Sequence, residues 1–140
     1  MKLINTISLL LSLFLLSAAC YAEPVLPAQL IKMDQGRNYG LIVGDIIEHR
    51  YLIAVDEGYS LSPSSLPVEG ELTYWLDLNS VSMTSEQQGK KTIYNLTLRY
   101  QTFYAPLDVR TLQIPEQQLV FTDSENQRVE ITLPDWHFIM

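Results

Sequence analysis

Two histidines, His49 and His137, and one cysteine, Cys20, are the only candidates for imidazole or thiol chemistry in this chain. His49 falls on the mainly apolar parity of the run Ile46 to Val55, and His137 lies between Trp136 and Phe138. Both therefore read as packed or rim histidines rather than as ligands or general bases. The acidic pairs Asp56-Glu57 and Glu69 with Glu71 flank loops, where a hard cation such as calcium would seek several oxygens. Their spacing matches no calcium loop, so solvated turn carboxylates are the expectation. A Gly-rich phosphate loop, an HExxH helix, a paired-cysteine zinc site and a nucleophile elbow are all missing from the sequence. The reading is of a protein that is not an enzyme and takes no cofactor. A hydrolase would require His49 or His137 to meet a carboxylate in a cleft.

The stretch that must organise these residues is Arg37 to Val55. Gly40 and Gly44 punctuate a short apolar segment, Asp45 ends it, and a strand-like run follows. A Gly-Asp pair ahead of an apolar run predicts a turn that delivers the chain into a strand. In that strand Ile47, Tyr51, Ile53 and Val55 share one side, with Glu48 and Arg50 on the other, the pattern of a half-buried strand.

The remaining segments repeat the theme. Gln29 to Met33 is a short apolar strand, and Ser60 to Leu66 is a Ser/Pro-rich loop. From Glu71 to Asn79 the residues Leu72, Tyr74, Leu76 and Leu78 alternate with Thr73, Trp75, Asp77 and Asn79, which predicts one strand. Trp75 would then project opposite the leucines, as a packing residue or an exposed binding aromatic. Val81 to Thr84 leads through the polar turn Glu86 to Lys91 into Thr92 to Tyr104, a hairpin. Pro106 and Pro115 bound a short piece, Val109 to Ile114, as prolines at strand ends do. A last hairpin pairs Gln118 to Thr122 with Arg128 to Leu133, with Leu119 and Phe121 facing Val129, Ile131 and Leu133 inside. No helical stripe interrupts the series. The expected fold is all-β: an antiparallel, immunoglobulin-like β-sandwich of about seven strands.

The chain has 140 residues, and its start reads as a secretory signal peptide over residues 1–22: Lys2, an apolar run from Ile7 to Leu16, then small residues. That run is shorter than the roughly 20 residues a membrane-spanning helix needs. Cleavage after Ala22 would leave residues 23–140 as a single domain, periplasmic or secreted. Acylation at Cys20 would leave it lipid-anchored instead. Without Lys2 the nine basic residues become eight against sixteen acidic ones, a formal charge of −8. Such a surface repels phosphate backbones and anionic lipid, so nucleic acid is excluded as a partner. With no second cysteine, the domain stands without disulfides.

The order of short motifs suggests a family. Arg37-Asn-Tyr39-Gly40, then Val43-Gly44-Asp45, Leu66-Pro67 with Gly70, Trp75-Leu76-Asp77-Leu78, and Leu133-Pro134-Asp-Trp136-His-Phe138 together resemble the MxaA-type accessory proteins of bacterial methanol oxidation. That family is similar in plan to the immunoglobulin-like domains of BatD-type aerotolerance proteins. The resemblance implies a periplasmic, non-enzymatic factor that helps assemble a calcium-dependent quinoprotein dehydrogenase or load its calcium. It implies as partner that dehydrogenase or its maturation factors, and structural roles for Arg37, Tyr39, Gly40, Gly44, Asp45, Trp75 and Trp136. Such proteins usually carry a membrane-spanning segment beyond the Trp-x-Phe motif. Here the chain stops at Met140, and no transmembrane segment is expected in the mature protein. The alternative is a general cell-envelope protein-binding sandwich with no metal role.

Overall fold

A computed structural model describes residues 26–140; residues 1–22, where a signal peptide is expected, and Cys20 lie outside the described residues. Ten strands follow one another: β1 (Ala28–Asp34), β2 (Ile46–Asp56), β3 (Ser60–Leu61), β4 (Gly70–Thr73), β5 (Leu76–Gln88), β6 (Lys91–Thr102), β7 (Thr111–Ile114), β8 (Gln117–Thr122), β9 (Arg128–Leu133) and β10 (Trp136–Ile139). A single 3-10 turn, Pro63–Ser65, is the helical element among the described residues. The strands beyond the expected seven are short pieces such as β3, β4 and β10.

The first layer is a five-stranded antiparallel sheet in the order β1-β2-β6-β5-β4. Its centre is the long pairing of β2 with β6, where Ile47 faces Tyr100, Tyr51 faces Leu96 and Val55 faces Thr92. Odd positions of β2 and even positions of β6 point inward, so alternation alone buries Ile47, Tyr51, Ile53, Leu96, Leu98 and Tyr100. In β5 the register slips by one residue between Leu78 and Ser80. This bulge switches the inward parity from Leu76 and Leu78 to Val81.

The second layer is one long, kinked hairpin. β7 pairs with β10 and β8 with β9 in a common register, Ile114 opposite Trp136 and Gln117 opposite Leu133. The ladder breaks only at Pro115-Glu116 and Pro134-Asp135, because proline lacks the N–H a ladder needs. β3 adds to β8 at the edge. Leu119, Phe121, Leu133 and Phe138 of this layer are fully buried against the first sheet. Antiparallel sheets closed face to face over a shared apolar core make a β-sandwich.

One expectation is corrected. Glu71 to Asn79 is not a single strand: Thr73 pairs with Leu76, so the chain reverses at Tyr74-Trp75 into a tight hairpin between β4 and β5. Leu76 and Leu78 are buried as expected, but Leu72 and Tyr74 leave the core face and are exposed.

Candidate functional site

The connection from β1 to β2, residues 35–45, lies as a strap across one end of the sandwich. Its last four residues form a β-turn in which the Asp45 N–H donates to the Ile42 carbonyl at 3.1 Å. Gly44 occupies the third position at φ +89°, as a type II turn requires. A Cβ there would meet nothing within 4 Å, so conformation rather than space demands glycine. The Asp45 carboxylate closes the turn by accepting the Ile42 N–H at 3.0 Å, and it pairs with Arg37 at 3.5 Å. The Gly44 N–H donates to the Thr102 carbonyl at 2.6 Å, which docks the turn on the end of β6. Asp45→Ala should therefore lower stability by about 1 kcal/mol, the usual loss for a side chain that satisfies an otherwise free backbone N–H. An unchanged urea midpoint would mean that water replaces the carboxylate at no cost.

Three further segments meet the strap at this pole. The Phe103 N–H donates to the Trp75 carbonyl, the Ile139 N–H to the Asn38 carbonyl, and Arg110 and Met140 exchange backbone bonds. Leu41 alone sends a buried side chain from the strap into the core. Most of the others point to solvent, the apolar Tyr39, Ile42 and Val43 among them. Tyr39 is 68% exposed, and Ile42 and Val43 stand between the glycines. Tyr74 is 81% exposed at the β4–β5 turn, and Phe103, Leu107 and Val109 project from the β6–β7 loop, Leu107 with its whole surface in water. Apolar residues scattered singly are ordinary, as at Ile31, Val68 and Met83; the several that share this end make it the candidate interaction surface among the described residues. The opposite pole is built differently: its loops carry Asp56, Glu57, Lys90, Asp123 and Glu125.

The motif residues divide between strap and core. Arg37, Tyr39, Gly40, Gly44 and Asp45 all lie in the strap. Trp75 and Trp136 are half-buried and meet at Phe138, their ring centres 6.1 and 5.4 Å from its ring. Trp75 is thus a packing residue at the rim of the pole. Beside the strap, an open cleft of about 320 Å³ is lined by Arg37, Asp45, Glu48 and Arg50 among others, and these four charges pair off as Arg37–Asp45 and Arg50–Glu48.

His49 is buried at the centre of an aromatic cluster, its ring 4.9 Å from Trp136 and 5.3 Å from Tyr100, edge to face. Its Nδ1 lies 3.1 Å from the Tyr51 hydroxyl, into which the Gln35 amide also donates at 3.4 Å. Nε2 of the same ring has no nitrogen or oxygen partner. Burial lowers the pKa of His49 from 6.5 to about 4, against the opposing pull of the Asp34 carboxylate. His137 instead lies on the outward side of β10, 3.7 Å from Asp135. Glu69 accepts the Val81 N–H at 2.8 Å, which ties down the bulge in β5. Among the described residues, no three His, Cys, Asp or Glu side chains gather where a metal could be held. No helix there is long and apolar enough to cross a membrane.

Sequence patterning marked the strap but not the pole. A signal was present in apolar residues within loops, Ile42-Val43 between glycines and Leu107 and Val109 beyond Pro106, which no strand alternation accounts for. Compared with known protein families, characterised proteins and solved structures, the chain matches none significantly.

Proposed function

We propose that this protein is an exported, non-enzymatic accessory protein of the cell envelope that binds another protein through its apolar pole. The observation that carries this reading is the position of exposed Tyr39, Ile42, Tyr74, Phe103, Leu107 and Val109, from three separate loops, at one end of the sandwich. Strand addition is a poorer route to a partner. The first sheet's two edge strands both carry an irregularity, at Ile31 in β1 and at Leu72 in β4, and bulged or short edges resist pairing. The motif order suggests the class of partner, a periplasmic quinoprotein dehydrogenase or one of its maturation factors.

Affinity purification of the tagged mature protein from its native periplasm, beside a Leu107→Asp variant, tests both levels. A dehydrogenase or maturation factor that co-purifies with the wild type and is reduced at least about tenfold with the variant is the expected result, since a buried charge without a partner costs more than 1.4 kcal/mol. Capture of an unrelated envelope protein with the same dependence keeps the binding role and removes the dehydrogenase. Capture indifferent to Leu107, or no capture, removes the pole as the binding surface.

A further inference from the structure

We infer that His49 is a pH-sensitive latch for the strap: when its ring takes up a proton, residues 35–45 lift from the end of the sandwich while the rest of the fold stays closed. The ring is 1% exposed, and its Nε2 is a buried side-chain nitrogen without a hydrogen-bond partner among the described residues. Its Nδ1 lies 3.1 Å from the Tyr51 hydroxyl, which also accepts the amide of Gln35, the first residue of the strap. An imidazolium must donate from both nitrogens, and the closed site offers it one shared hydroxyl. The groups that face the ring from the elements packed on it supply no counter-charge in contact. β2 and β6 bring Tyr51 and Tyr100, and β10 brings Trp136, all uncharged rings. Asp34, at the end of β1, is the carboxylate whose charge reaches the imidazole, and it stands in water. The other charges nearby are turned elsewhere: Glu48 and Arg50 pair on the opposite face of β2, Arg37 pairs with Asp45 in the strap, and His137 faces outward from β10.

The weakest cover decides where water reaches the ring. β2 is paired with β6 along its whole length, from Ile46 to Asp56. The strap is fastened by isolated bonds such as Gly44–Thr102, Ile139–Asn38 and Gln101–Gly44, and by one buried side chain, Leu41. Local opening follows the weakest fastening, so the strap lifts before the ladder parts. Once it lifts, the imidazole returns from about 4 to its ordinary 6.5 and binds a proton that the closed form refuses. Opening is therefore favoured as pH falls through 6.5 toward 4, and becomes about twentyfold more frequent at pH 5 than at pH 7. The lifted form stays a minor state of the folded protein over that range. Because the strap carries Tyr39, Ile42 and Val43, each opening also takes them off the pole. That consequence rests on the pole being a binding surface; the latch itself does not.

The experiment is hydrogen exchange of the folded mature protein at pH 5, 6 and 7, read amide by amide by NMR and corrected for the chemical exchange rate at each pH. The reporters are the Gly44 and Ile139 N–H groups, which join the strap to the body. Amides of the β2–β6 ladder report global unfolding, and low urea separates the two processes because local opening exposes little surface. The expected result is that both reporters exchange faster than the ladder, ignore low urea, and lose about twentyfold in protection between pH 7 and pH 5. Imidazoles titrate in this window and the chain has two, so variants assign the effect. His49→Leu and His49→Gln should each abolish the pH dependence at the reporters, and His137→Gln should keep it; the pair at position 49 guards against one that fails to fold. Protection that does not change with pH overturns the latch, as does a pH dependence that persists in a folded His49 variant. Reporters that share the ladder's urea dependence overturn it too, since the ring would then be uncovered only when the whole sandwich unfolds.

Discussion

Taking the protein from pH 7 to pH 4 should cost it about 3 kcal/mol through His49 alone, and replacing that residue with leucine should remove this part of the pH dependence. In the folded protein burial holds the imidazole pKa at about 4, whereas the unfolded chain returns it to 6.5. Between these values the unfolded state binds the extra proton, so stability rises with pH across the window and is lost as pH falls through it. Above about pH 6.5 the contribution is fully present; below about pH 4 both states are protonated and the loss is complete. The groups that face the ring explain the size of the effect. Tyr51, Tyr100 and Trp136 offer aromatic edges and one hydroxyl, and only the charge of Asp34 favours the imidazolium. Urea unfolding at several pH values between 4 and 7 should show a shallower slope for His49→Leu than for the wild type. The carboxylates common to both chains cancel in that comparison. Equal slopes would mean that water or a rearranged strap reaches the protonated ring.

Alternation by itself makes His49 legible as an inward residue, because β2 keeps period two without a bulge from Ile47 to Val55. The same regularity exposes β6 and the inner faces of β8 and β9. It fails at Tyr74-Trp75. Two-residue hairpins usually announce themselves with Gly or Asn, which tolerate the left-handed backbone, and here the turn is made of two large aromatics inside an alternating run. Nothing in the pattern separates a strand that continues there from one that folds back. The aromatic cluster and the pole are hidden for a different reason. Their members come from positions as distant as Gln35, Tyr100 and Trp136, or Tyr39 and Leu107, and are joined only by the strand order. Periodicity tells which way a side chain points, whereas topology decides whom it meets.

The largest mutational effect is expected at Phe138, where truncation to alanine should cost about 3–5 kcal/mol, the range for a fully buried phenylalanine that leaves a cavity. Its side chain is completely buried, stacked on Trp136 and tilted against Trp75, in the strand that closes the kinked hairpin. The neighbours are poorly placed to collapse into the space. Trp136 is held by its edge-on contact with His49, and Trp75 by its own contact with Tyr104 and its backbone bond to Phe103. Loosening β10 also loosens the Ile139–Asn38 bond that fastens the strap, so the damage should spread to the pole. Both tryptophans of the chain border the missing ring, which makes their fluorescence the direct readout. Emission of Phe138→Ala should shift to the red even in the absence of denaturant, and its unfolding midpoint should fall further than that of Phe138→Leu, which keeps much of the volume. A loss of stability below about 1 kcal/mol would show that β10 is a peripheral strand rather than part of the core, since surface positions seldom exceed that cost. A loss of the expected size would take a large share of the roughly 5–15 kcal/mol by which a typical domain is stable. The same acid sensitivity at His49 would then unfold the variant at a pH that the wild type survives.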